Sequence, residues 1–149
     1  MADDDDRVAA WRGLLRAHSG ATKAIEADLA AQRLIPLAWY DVLLELNAAP
    51  ARSLRMQDLA SRVTLSRTRI SRVVDELERA RLVAREPDES DRRARFAAIT
   101  AEGRAVLRRT APHYLHAIEE HFTAHLSGRE RRVLADALGR VARHHRAVR

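Results

Sequence analysis

Apolar residues recur every three or four positions along most of the chain, which is the spacing of one face of an α-helix. The first run extends from Val8 to Leu29, and the acidic residues 3–6 precede it, where carboxylates can cap a helix. Further runs predict helices at 37–48, 55–63, 66–80 and 100–126, and a last helix opened by a capping box at Ser127 and Glu130. Pro112 is expected to kink or divide the fifth helix, because proline cannot donate the helical hydrogen bond.

Two short extended runs interrupt this helical pattern. They cover 82–84 and 95–100, and they flank the polar segment 86–94. Two strands around a long polar loop indicate a β-hairpin. A short helix, a tight turn, a second helix and then a hairpin together make a winged helix-turn-helix. The predicted fold class is therefore mainly α with a small β-hairpin wing.

Positive charge is concentrated in this helix-turn-helix. The chain has a formal charge of +6, and all of its basic residues except Lys23 are arginine. The segment 52–73 holds six arginines against one acidic residue, Asp58, which favours a polyanionic partner. The second helix carries donors on or beside its polar face, as a recognition helix in a DNA major groove does, although a solvated surface helix is the alternative. These donors are Ser66, Arg67, Thr68, Arg69, Ser71 and Arg72.

The hairpin tip contains Asp91, Arg92 and Arg93. An aspartate two residues before Arg93 can form a bidentate ion pair that holds the guanidinium extended. An arginine held in this way suits a minor groove. The wing as a whole is not basic, because its acidic residues balance its arginines. We therefore expect the wing to act through the placement of Arg93.

Several classes of function are disfavoured. The absence of cysteine excludes disulfides and thiol chemistry, and the five glycines form no nucleotide-binding or hydrolase motif. His116 and His121 flank two glutamates as in a zincin, but five positions place them about 140° apart on a helix. We expect no catalytic site, cofactor or metal, although His121 with His125 leaves a metal-responsive regulator as an alternative. With no apolar run as long as a membrane span and an acidic start, we expect no membrane partner and a cytoplasmic protein.

The segment from Leu54 to Gly103 resembles the DNA-binding lobe of the multiple-antibiotic-resistance regulator (MarR) family. The matching sequences are DLA at 58–60, LSR at 65–67, SRVVDELE at 71–78, LV at 82–83, DRRA at 91–94 and ITAEG at 99–103. The flanking helices follow the order of the family, so the resemblance extends over nearly the whole chain as one domain, 1–149. Two positions depart from the family: Ser71 stands where threonine is common, and Arg81 where a glycine ends the recognition helix in a left-handed conformation.

This resemblance implies a homodimeric transcription regulator that binds an inverted-repeat operator in double-stranded DNA, and we expect a ligand-responsive repressor. Residues 1–35 and 101–149 would form the dimerisation region, and 37–100 the DNA-binding lobe. The family also implies a pocket for a small aromatic or anionic effector, with core or interface roles for the aromatic residues as the alternative. Candidate pocket residues are Trp11, Arg12, Trp39, Tyr40 and Arg55. The remaining alternative is an architectural nucleic-acid-binding protein without an effector.

Overall fold

The structure, a computed structural model, describes residues 2–91 and 94–147. Its helices and strands are α1 (Ala2–Ala31), α2 (Leu37–Ala48), β1 (Ser53–Arg55), α3 (Met56–Arg62), α4 (Arg67–Arg79), β2 (Val83–Pro87), β3 (Arg95–Ile99), α5 (Ala101–His121) and α6 (Gly128–Ala147). Short 3-10 turns cover Pro50–Arg52 and Thr123–His125. The predicted fold class, mainly helical with a small antiparallel sheet, is confirmed.

The chain divides into two compact units. The central unit is Glu26–Tyr114, and the terminal unit consists of Met1–Ile25 and Leu115–Arg149. The core of the central unit is formed by apolar residues of α2, α3, α4 and the sheet. Its fully buried members include Leu43, Leu46, Leu59, Ile70 and Leu77. Burying an aliphatic side chain of this size contributes about 1.5–3 kcal/mol, so this core holds α4 in place from one side.

The sheet has three antiparallel strands in the order β1-β3-β2. The hairpin of β2 and β3 is confirmed, and β2 continues to Pro87, which pairs with Arg95. The third strand, β1, was not predicted: three residues are too few to show an alternating pattern, and its formation depends on pairing of Leu54 with Ala97 far along the chain. Because β1 lies on the other side of β3, it attaches the wing to the start of α3.

Two helix ends differ from the prediction, and of the two outcomes expected at Pro112, a kink or a division, division is contradicted. α1 begins at Ala2, so the acidic run forms its first turns instead of preceding it. α5 runs through Pro112 without division, because the carbonyl that loses its partner belongs to the exposed Arg108 and is open to water. α5 also ends at His121, short of 126, where a 3-10 turn follows.

The capping box before α6 is confirmed. The Ser127 N–H donates to Glu130 Oε2 over 2.7 Å, and the Glu130 N–H donates to Ser127 Oγ over 3.3 Å. These two bonds satisfy two amides that the first turn would otherwise leave free. Hydrogen bonds from the Ser127 side chain and from its N–H to the carboxylate lower the pKa of Glu130. Among the described residues, no helix combines the length and apolar character needed to cross a bilayer.

Candidate nucleic-acid interface

The helix α4 separates its apolar and polar residues cleanly. Ser66 caps it by accepting a hydrogen bond from the Arg69 N–H over 3.3 Å. Its inner face buries Ile70, Val73, Val74 and Leu77. All six side chains named from the sequence as DNA contacts are exposed: Ser66, Arg67, Thr68, Arg69, Ser71 and Arg72. The apolar pattern therefore brings the polar set together at the N-terminal half of one helix.

Three of the four arginines of α4 lie in its N-terminal half, while its carboxylates and Arg79 lie in its C-terminal half. Among the described residues, no acidic side chain lies within ion-pair distance of Arg67, Arg69 or Arg72. The positive end of the helix dipole adds to these three charges. The N-terminal half of α4 is thus a compact, exposed cationic surface suited to phosphate oxygens and base edges.

The acidic residues of α4 connect the helix to its neighbours. Arg85 of β2 contacts Asp75 Oδ1 at 2.5 Å and Glu78 Oε2 at 3.2 Å. The indole Nε1–H of Trp39 in α2 donates to Glu76 Oε2 over 3.0 Å. Exposed ion pairs contribute only about 0–1 kcal/mol each, so the main effect of these contacts is to orient α4 between α2 and the wing.

The turn from α4 to β2 is left-handed without a glycine. Arg81 has φ of 61°, in the region that glycine occupies at little cost. The Leu82 N–H donates to the Leu77 carbonyl and the Arg81 N–H to the Glu78 carbonyl, both over 2.9 Å, which is the Schellman arrangement. Arg81 therefore keeps the left-handed geometry that the family builds with glycine. A side chain in this conformation costs about 1–2 kcal/mol of stability.

A buried carboxylate stands at the base of the wing tip. Asp88 is 6% exposed, and its Oδ1 accepts the Ser90 N–H over 2.9 Å and the Ser90 hydroxyl over 2.6 Å. Its Oδ2 lies 2.6 Å from Nη2 of Arg55, whose guanidinium carbon is 5.7 Å from the centre of the Phe96 ring. The Ser90 hydrogen bonds, followed by the charge of Arg55, hold the pKa of Asp88 below its ordinary value.

The sequence analysis missed Asp88. Aspartate two residues before serine after a proline is typical of a turn closed by its own side chain, so the local bonds to Ser90 were within reach of the sequence. The contact with Arg55 was not, because that residue belongs to β1, the unpredicted strand. Asp91 is exposed, and its carbonyl accepts the Ala94 N–H over 3.0 Å. Arg92 and Arg93 lie outside the described residues, so the Asp91–Arg93 pair stays a prediction.

The five candidate effector-binding residues have separate surroundings. Trp11 and Arg12 are exposed on α1 in the terminal unit. In the central unit, Trp39 bonds to Glu76 and Arg55 to Asp88. Tyr40 is buried, with its ring centre 4.4 Å from that of Tyr114, and burial raises its pKa, with Asp41 adding to the effect. The effector pocket stays a prediction.

The chain is similar to known proteins over nearly its whole length. A sequence model described as the MarR family matches residues 35–94, and no curated protein gives a significant match. AbsC, a MarR family transcriptional regulator from Streptomyces coelicolor, is 34% identical, with 96% of each chain covered and a TM-score of 0.84. A second MarR family transcriptional regulator from that organism, solved in complex with DNA, is 32% identical, with 93% of this chain and 86% of that chain covered and a TM-score of 0.83.

A more distant structure shares the fold. It is BpsR of Bordetella bronchiseptica, whose regulation of DNA binding by 6-hydroxynicotinic acid has been studied structurally; it is 21% identical, with 88% of this chain and 91% of that chain covered and a TM-score of 0.78. The expectation that the protein is not an enzyme is confirmed by its relatives, which are transcription regulators. Identity above 30% over nearly its full length shows that the chain belongs to the MarR family of winged helix-turn-helix transcriptional regulators.

Proposed function

We propose that the protein is a ligand-responsive repressor that binds an inverted-repeat operator as a homodimer. The observation that carries this proposal is the N-terminal half of α4, where Arg67, Arg69 and Arg72 are exposed and have no acidic partner among the described residues. The similar Streptomyces regulator solved in complex with DNA supports the DNA-binding part of this proposal. Specificity then comes from base edges in the major groove, and affinity mainly from phosphates.

In this proposal each part of the lobe has its own contact. The residues Ser66 to Arg72 enter the major groove, where arginine pairs with guanine and the short hydroxyl side chains bond to bases or phosphates. The hairpin tip reaches the neighbouring minor groove through Arg93, aimed by Asp91, with Arg92 beside it. The carboxylates in the C-terminal half of α4 face away from the DNA, where they contact Arg85 and Trp39.

The homodimer is supported by the surface of the terminal unit. Large apolar side chains are exposed on its helices, among them Trp11 at 60%, Leu115 at 63% and Val133 at 60%. Exposed apolar side chains in such number are typical of an interface with a partner chain. A twofold dimer would cover them and set the spacing between two recognition helices, about 34 Å for half-sites one turn of DNA apart.

An effector would act by changing the distance between the two recognition helices of the dimer. A ligand that binds better to one arrangement of the two recognition helices shifts the population toward it and changes affinity for an operator of given half-site spacing. We propose a small aromatic or anionic effector, with Trp11, Arg12, Trp39, Tyr40 and Arg55 as its candidate contacts. Titration of aromatic carboxylic acids into the protein–operator complex tests this part separately.

The central experiment is selection of binding sites from a random duplex library by the intact protein, with sedimentation of the protein alone and with the selected duplex. We expect an enriched inverted repeat bound by two chains. Enrichment of no sequence, with tight binding to any duplex, would favour the architectural alternative. A monomer that binds a single half-site tightly would contradict the dimer.

A further inference from the structure

Asp88 is the only buried charged side chain among the residues that the structure describes. A carboxylate removed from water is costly unless hydrogen bonds and an opposite charge replace the lost hydration. Ser90 supplies two hydrogen bonds, both to Oδ1, and Arg55 supplies the opposite charge at Oδ2, which accepts no hydrogen bond from the described residues. Arg55 Nη2 also lies 3.3 Å from Ser90 Oγ, which closes the group into a triangle.

This triangle joins all three strands of the sheet at one end. Arg55 is the last residue of β1, and its register partner Phe96 on β3 has its ring beside the guanidinium. Asp88 follows Pro87, the last residue of β2. The first half of the hairpin tip, residues 88–91, therefore leaves the sheet at the point where Asp88 is paired with Arg55.

We propose that Arg55, Asp88 and Ser90 act as a clamp that sets the direction of the hairpin tip, and that operator affinity depends on this clamp. The inference rests on the proposed function, since it takes the tip to contact DNA. In this assignment Asp88 and Arg55 are positioning residues, which affect DNA binding through the tip and not by contacting the operator themselves. This role removes Arg55 from the candidate effector contacts, because its guanidinium is already paired with Asp88.

Long-range electrostatics and the clamp predict opposite effects on operator affinity when Asp88 is neutralised, so the direction of the change tests the clamp. A carboxylate near DNA repels phosphates, so neutralising it should tighten binding. If Asp88 positions the tip, neutralising it should weaken binding, because Arg55 and Ser90 lose the group that holds them. Glu89 is a matched control: it is the next residue, it is exposed, and it has no ion pair among the described residues.

The experiment measures binding of the full-length protein to its selected operator by fluorescence anisotropy across a range of salt concentrations. Asp88→Asn should weaken binding by roughly tenfold, the scale of one charge-assisted contact. Glu89→Gln should leave binding unchanged or tighten it. Arg55→Ala should weaken binding about as much as Asp88→Asn, and the double variant should lose no more than either single variant, because both break one unit.

The salt dependence separates positioning from direct contact. Removing a side chain that binds an operator phosphate reduces the slope of log K against log salt by about 0.9, so clamp variants that act through the tip should keep nearly the parent slope. Ser90→Ala leaves every charge in place and provides a second variant should Asp88→Asn fail to fold, as judged by circular dichroism. It too should weaken binding at an unchanged slope.

The clamp is disproved if the folded Asp88→Asn or Ser90→Ala variant binds as tightly as the parent or more tightly. Loss of affinity with Arg55→Ala alone would instead make Arg55 a direct DNA contact. Failure of the proposed function looks different: the parent protein itself would then select no operator. The parent measurement therefore distinguishes the two failures.

Discussion

The hydroxyl of Thr100 donates to the carbonyl of Arg81 over 2.8 Å, and it accepts the Gly103 N–H over 3.0 Å. One side chain thus caps α5 and bonds to the left-handed turn that ends α4. The Thr100 N–H also donates to the Leu82 carbonyl over 3.0 Å. The recognition helix, the start of β2 and the start of α5 are therefore joined at one point, and two of the following predictions concern it.

Replacing Arg81 with glycine should stabilise the protein. The left-handed conformation costs a residue with a side chain about 1–2 kcal/mol, while the greater freedom of glycine in the unfolded chain costs roughly 0.5–1 kcal/mol. We therefore expect Arg81→Gly to raise the free energy of unfolding by about 0.5–1 kcal/mol in thermal or denaturant unfolding. Arg81→Ala retains the strain and should show no gain. Equal gains from both variants would attribute the effect to the arginine side chain and not to φ.

Gly103 should not tolerate a side chain. A Cβ there would lie 2.2 Å from the Leu82 carbonyl oxygen and 2.8 Å from Cγ1 of Ile99, so the backbone of the joint would have to shift. Gly103→Ala should destabilise the protein by about 1–3 kcal/mol, as overpacking does.

Gly13 in α1 is the control for this substitution, because, apart from its chain neighbours and the backbone of its own helix, no atom of the described residues lies within 4 Å of its added Cβ. Gly13→Ala should stabilise by roughly 0.5–1 kcal/mol through helix propensity alone. Denaturant unfolding of the two variants should thus give opposite signs. A neutral Gly103→Ala would mean that the joint is looser than its geometry indicates.

Arg69 should contribute to operator binding without affecting stability. It is exposed, and it lies at the positive end of α4. Arg69→Ala should weaken operator binding by about 1–3 kcal/mol if it contacts a base, or reduce the salt slope by about 0.9 if it contacts a phosphate. Arg108→Ala removes an exposed arginine from α5 and controls for the loss of one charge. Equal losses in the two variants would indicate a general charge effect and contradict the interface.

The contribution of Asp88 to the free energy of unfolding should depend on pH. Its pKa in the folded protein is lowered from 3.8, mainly by the Ser90 hydrogen bonds. Its stabilising contribution is therefore fully present above the unfolded-state pKa and is lost as pH falls through the lowered folded-state pKa. The difference in stability between the parent and Asp88→Asn should be constant from about pH 5 to 8 and shrink below about pH 4.

Unfolding of both proteins by denaturant at a series of pH values measures this difference. A difference that grew as pH fell would contradict a lowered pKa for Asp88.

Some features of the candidate interface depend on neighbours in sequence, and these were predictable. The apolar face of α4 follows from a spacing of three or four residues, and it determines that Arg67, Arg69 and Arg72 point outward. The capping box of α6 likewise joins residues three positions apart. The hairpin was predicted from two short extended runs and the polar segment between them. Two helix ends were predicted less well: α1 starts at Ala2, because carboxylates stabilise a first turn from inside the helix as well as from its cap, and α5 ends at His121, where a 3-10 turn replaces the last predicted turn.

The order of the six helices and the two hairpin strands, the fold class and the cationic half of α4 all follow from the sequence, because short-range periodicity and capping depend on local chemistry. Tertiary packing is responsible for β1, for the hydrogen bond from Trp39 to Glu76 across 37 residues, and for the contacts of Arg55 with Ser90 and Asp88. These contacts join side chains with no common periodicity. Their partners are brought together by burial of the core, and no pattern along the chain records that proximity.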